Sequence, residues 1–116
     1  MNSQIKQQWV TALRSNEYSQ TQGNLRSPNG FCCLGVLCDV YAKQTGNKWI
    51  IQLTEDAIPF TYYYFDEASI TLPESVKKWA GLDMPNPLIK EELSLAELND
   101  AGKTFEEIAQ LIEEHL

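Results

Sequence analysis

Apolar residues recur at helical spacing over residues 4–14: Ile5, Trp9, Ala12 and Leu13 lie four, three and one apart and form a single stripe. Ser3 is placed to cap that helix. The period lapses over "SNEYSQTQGNLRSPNG", where Pro28-Asn29-Gly30 marks a turn and Tyr18 to Arg26 reads as either a short hairpin arm or an ordered loop. From Phe31 to Cys38 the chain is apolar on every side, and Asp39 and Lys43 are the first clear polar positions. A helix apolar all round belongs in the middle of a core. Gly46 is positioned as its C-cap.

The pattern then changes. "KWIIQL" (48–53) and "PFTYYYF" (59–65) are rich in β-branched and aromatic residues and predict strands, with a third at "SITL". Pro73 opens a short helix, "PESVKKWAGL", in which Val76 and Trp79 share a face and Gly81 ends it. "DMPNPL" reads as a proline-punctuated connector. Ser94 with Glu97, and Thr104 with Glu107, have the spacing of two capping boxes. Gly102 separates their helices, and Phe105, Ile108, Leu111 and Ile112 form the buried stripe of the last. The expected fold is therefore α+β: one domain over 1–116, with a buried central helix, a small antiparallel sheet and C-terminal helices.

Composition narrows the function classes. At 116 residues the chain builds one modest core. A net charge of -7 argues against non-specific binding to duplex nucleic acid, because no excess of Lys and Arg is present to release counterions. A small anion held by two or three local cations stays compatible with that charge. No apolar run approaches the roughly 20 residues of a membrane span. Neither a signal peptide nor a secretory cysteine pattern is expected, so a reducing cytoplasm is the natural setting.

Three cysteines fall within seven residues, and chemistry competes with packing there. Cys32 and Cys33 are adjacent, and Cys33 and Cys38 stand about 140° apart on a helix, so no pair converges on one metal ion. His115, the sole histidine, is at the far end of the chain. Buried small hydrophobes are the reading these thiols favour. The alternative, a nucleophilic or redox thiol, needs a neighbouring base or cation that the sequence does not identify. Gly35 within that helix requires a close-packed neighbour, a strand or Trp9. Asp66-Glu67 is a weak candidate for a base or a metal site and a better one for loop solvation. No catalytic residue, metal or cofactor is expected.

Ligand-binding candidates are of a different kind. Three consecutive tyrosines in a strand, Tyr62, Tyr63 and Tyr64, cannot all face the core, and an exposed phenol ring offers a stacking face. Covering a sheet or a subunit interface is the competing role for them. Arg14, Tyr18, Gln20, Gln22 and Arg26 supply donors after the first helix, and two arginines could clamp phosphate oxygens.

"WVTALRSNEYSQTQGNL", "GFCCLGVLCDVY", "LPESVKKWAGL" and "LAELNDAGKTFEEIAQLIEEHL" together resemble a widespread family of small bacteriophage proteins with a CCLGVLCD core segment and an L-N-D-x-G tail. The resemblance spans nearly the whole chain. Ala80 between Trp79 and Gly81 is a small departure from it. It implies an anti-defence protein acting in the cytoplasm of the infected host: an oligomeric sponge that sequesters a cyclic oligonucleotide signal of CBASS immunity without cleaving it. Implied partners are that ligand and further copies of the chain, with neither membrane nor duplex nucleic acid. An acidic inhibitor that covers a host protein is the alternative, motivated by Glu106, Glu107, Glu113 and Glu114 on the last helix. A thiol enzyme built on Cys32, Cys33 or Cys38 ranks third.

Overall fold

A computed structural model describes residues 1–116. In chain order the elements are α1 (Ser3–Arg14), β1 (Arg26–Ser27), β2 (Gly30–Phe31), α2 (Cys33–Thr45), β3 (Ile50–Leu53), β4 (Thr61–Tyr64), α3 (Glu74–Ala80), β5 (Leu88–Lys90), β6 (Leu93–Ser94), α4 (Leu95–Asp100) and α5 (Phe105–His115). Five helices and three small antiparallel ladders make the fold α+β, as the pattern predicts. No helix is long and apolar enough to cross a membrane.

The slim central helix is α2, with Cys33, Leu34, Gly35, Val36, Leu37, Cys38 and Val40 all buried. Around it close Trp9, Leu25, Phe65, Val76, Leu95, Ile108 and Ile112, each nearly or wholly inaccessible. Gly35 is required by a main-chain contact. A Cβ built there would stand 1.7 Å from the Leu25 carbonyl oxygen, so the loop that leads into β1 lies directly on the helix backbone. Trp9 plays a different part from the one expected of it: its indole Nε1 donates to the Cys33 carbonyl at 2.9 Å.

Helix ends follow local chemistry. Asn2, not Ser3, caps α1, its Oδ1 accepting the Ile5 N–H at 3.0 Å. Cys32 caps α2 through Sγ, 3.4 Å from the Gly35 nitrogen, and Gly46 closes that helix at φ 79. Thr104 and Glu107 form a complete capping box on α5. At α4 the Ser94 hydroxyl accepts the Glu97 N–H but donates to the Glu97 carboxylate, so only half of the reciprocal pattern is present.

Three expectations need correction. Phe31 belongs to β2, paired with Arg26 of β1, because the Pro28-Asn29 turn folds the chain into a hairpin before α2 begins. "SITL" forms no strand; the partner it would need at the β4 edge is replaced by a tight reversal in which Phe65 and Ala68 exchange both main-chain hydrogen bonds. The end of the proline-punctuated connector instead enters a bulged β5–β6 hairpin. The sheet is thus three separate two-stranded ladders rather than one.

All three thiols are free and buried, and burial pushes each above the usual cysteine range. Cys33 donates weakly to the Leu95 carbonyl, 3.6 Å away. A thiol-specific disulfide reagent at neutral pH is therefore expected to leave the native protein unmodified and to titrate three thiols in guanidinium; rapid labelling of the folded protein would contradict this packing role. Gly35→Ala is expected to cost about 3 kcal/mol or more, since the Leu25 carbonyl has nowhere to move without displacing β1. An unchanged denaturation midpoint would show that the loop yields freely.

Candidate functional site

Arg26 leads the chain into β1, and its side chain reaches across the first hairpin to the base of the second. The guanidinium carbon lies 4.9 Å from the Phe31 ring centroid, 5.4 Å from that of Trp49 and 4.6 Å from that of Tyr63. Aromatic faces hold a guanidinium electrostatically while leaving its N–H groups unused. No carboxylate pairs with Arg26 and no acceptor in the chain takes its hydrogen bonds, although it is only half-buried. A stacked, partly exposed arginine with no carboxylate partner is a ready receptor for a planar or bidentate anion.

A second polar cluster adjoins it. The Tyr18 hydroxyl donates to Asp39 Oδ2 at 2.6 Å and accepts from Lys43 Nζ at 3.0 Å. Trp49 Nε1 donates to the other Asp39 oxygen at 3.1 Å. Asp39 thereby fixes a phenol and an indole at once. Tyr18 meets Phe31 edge-on at 5.0 Å, which links the two clusters through one ring. Burial, followed by the bond to Asp39, raises the Tyr18 phenol, so it stays protonated. The bond to Tyr18 raises the Lys43 ammonium, so it stays charged. Arg26 and Lys43 against Asp39 leave these two clusters with one net positive charge on a chain whose total is -7.

An open groove of about 700 Å³ runs between α1 and α2 past this cluster, lined by Gln7, Gln8, Thr11, Tyr18, Lys43 and Gln44. Its walls supply amide and hydroxyl groups together with one carboxylate, Glu17, opposite in charge to Lys43, and its volume is within the range that takes a nucleotide-sized ligand. A second hollow of about 360 Å³, beside Tyr41 and Lys48, is edged by Asp66 and Glu67 and is less suited to an anion. Those two acids form the reversal between Phe65 and Ala68, both at positive φ, and Asp66 accepts the Ser75 hydroxyl proton at 2.6 Å. Their role in the chain is that turn.

The structure brings Tyr18, Arg26 and Tyr63 to one surface and removes the other candidates from it. Arg14 is spent on α5, with Nε 3.0 Å from Glu106 Oε1, Nη1 2.5 Å from Glu113 Oε1, and Nη2 donating to Gln110. Gln20 donates to Asn99 Oδ1 at 2.9 Å and to the Lys103 carbonyl at 2.7 Å, so its amide ties a loop to the C-terminal helices. Tyr62 and Tyr64 point to the opposite side of the β3–β4 hairpin from Tyr63, because side chains alternate along a strand. Phe31, Trp49, Asp39 and Lys43 were not singled out by sequence pattern as site residues. The i,i+4 spacing of Asp39 and Lys43 on the polar side of α2 was the one available signal. On α5, Glu106 and Glu113 are engaged by Arg14, Glu107 by the cap and Lys103, and Glu114 by Gln110. Much of that acidic face is therefore neutralised or hydrogen-bonded within the chain.

No curated protein and no solved structure matches this sequence. A family model described as a domain of unknown function, DUF8296, matches residues 1–116. The half-buried cation on three aromatic rings lies within that match, and the chain belongs to the DUF8296 family over its whole extent.

Proposed function

We propose that this protein is a non-catalytic binder of a small anionic nucleotide, of the cyclic oligonucleotide class, and that it acts as a sponge. Arg26 carries the reading: a guanidinium stacked on Phe31, Trp49 and Tyr63, with its donors unused and no carboxylate beside it. Such a group pairs with phosphate oxygens, and its own exposed planar face is one on which a base can stack, worth roughly 1–3 kcal/mol per base. Lys43, held by the Tyr18 hydroxyl, supplies a further donor and charge at the mouth of the α1–α2 groove. The motif resemblance adds the biological setting: a bacteriophage protein in the cytoplasm of its host, lowering the free concentration of an immune signal. It also supports a homo-oligomer, in which copies pool the few cations an acidic chain provides.

Isothermal titration against a panel of cyclic di- and trinucleotides tests this reading. Micromolar or tighter binding to at least one is expected, with the ligand recovered chemically intact. Arg26→Ala is expected to weaken binding about tenfold to a hundredfold, the loss of one charge-assisted, stacked contact. Arg14→Gln is expected to lower the melting temperature and leave the affinity unchanged, since Arg14 serves α5. Absence of binding at tens of micromolar, or a cleaved ligand, would overturn the reading.

A further inference from the structure

The β3–β4 hairpin has a composition that a freely solvated arm does not need. Neither strand contains a charged residue, and all four residues of β3 are exposed. Ile50, Ile51 and Leu53 are 59–63% exposed, Ile58 at the tip 84% and Phe60 53%. Trp49 and Phe65 stack at 5.1 Å and root the hairpin in the body, while the rest has no sheet partner beyond its own two strands. A lone two-stranded ribbon is marginally stable in water, and an apolar edge without Lys, Pro or a bulge invites another strand.

The register fixes which main-chain groups that edge presents. Thr54 donates its N–H to the Phe60 carbonyl, and β3 pairs with β4 as Ile50 with Tyr64, Ile51 with Tyr63 and Gln52 with Tyr62. The pairs in step with Thr54–Phe60 are the hydrogen-bonded ones, so Gln52 and Ile50 face β4. The N–H and C=O groups of Ile51 and Leu53 therefore point outward at the free edge.

We infer that a second copy of this chain pairs with that edge, β3 against β3, antiparallel about a two-fold axis, to make a continuous four-stranded sheet. An axis perpendicular to the sheet requires a residue to face its own counterpart or its same-face neighbour. Centring the axis on Gln52 sets Ile51 opposite the second copy's Leu53, with their outward main-chain groups bonded. It also brings Lys48, just before β3, toward the turn that follows the second copy's β3 and carries Asp56, twice by symmetry. Opposite charges thus flank an uncharged centre in a chain that otherwise repels itself at -7. Isologous pairing of this kind closes on itself and exposes no further β3 edge. Tyr63, which carries Arg26 over its ring, shares a face with Ile51 and Leu53. The two-fold axis consequently leaves both Arg26 groups on the same face of the sheet.

This inference rests on the homo-oligomer part of the function proposed above and is tested without ligand. Sedimentation velocity of the full chain at tens of micromolar is expected to show a dimer. Ile51→Pro removes an outward N–H and no β3–β4 bond, so it is expected to fold, as judged by far-ultraviolet circular dichroism, and to raise the dimer dissociation constant at least about tenfold. Lys48→Glu is expected to weaken the dimer, and Lys48→Glu with Asp56→Lys to restore it. A dimer indifferent to Ile51→Pro and to the charge pair overturns the β3 interface while sparing oligomerisation. A monomer throughout overturns both. Nucleotide titration of the same samples reports separately on Arg26.

Discussion

The Asn99 carboxamide is the point through which the polar interior of this fold is satisfied. Its Oδ1 accepts the Cys33 N–H at 3.1 Å and the Gln20 amide at 2.9 Å, and its Nδ2 donates to the Thr21 carbonyl at 2.8 Å. Asn99 is fully buried, and so is the Cys33 N–H it accepts, so neither has recourse to water. A helix N-terminus leaves its first N–H groups without intrahelical partners, and one of those on α2 is answered from α4. Asp100 next to it accepts the Gly23 N–H at 3.0 Å. Two consecutive residues of α4 therefore pin the irregular segment between α1 and β1. Losing the carboxamide strands the buried Cys33 N–H at about 1–3 kcal/mol, a sizeable share of a small domain's stability.

That pinning governs how close the segment comes to α2. With residues 20–23 held by α4, Leu25 descends onto Gly35 and its main chain occupies the space a side chain would fill. Leu25 donates to the Ser69 carbonyl and accepts from Cys32, so its own backbone groups are paired despite complete burial. Arg26 follows immediately. Its position over three aromatic rings is a consequence of Leu25 being fixed one residue earlier, and the candidate site thus depends on a contact made in the core.

Electrostatics then distinguishes the arginines. Arg14 projects from the end of α1 onto a helix rich in glutamate, and the acidic surplus of the chain consumes it. Arg26 projects onto rings that hold a cation without neutralising it. Their sequence surroundings do not separate the two. Both follow a leucine and precede a serine.

Local sequence determined much of this protein, because caps and periodic stripes act within one or two turns of chain. The Thr104–Glu107 box, the glycine ends at Gly46 and Gly81, the α1 and α5 stripes and the all-round apolar α2 were legible for that reason. The same logic read the cysteines as packing, since helical geometry alone keeps them from converging. Strand pairing was less legible: a run such as "SITL" has strand propensity, but a ladder needs a partner, and the Phe65–Ala68 reversal leaves it none. The site was legible only in part. Tyr18, Arg26 and Tyr63 were visible as residue types, whereas Asp39, Lys43 and Trp49 join them across intervals of up to 25 residues. Which arginine is spent and which is left open was decided by tertiary structure alone, because it depends on whether a carboxylate some 90 residues away in sequence is brought alongside.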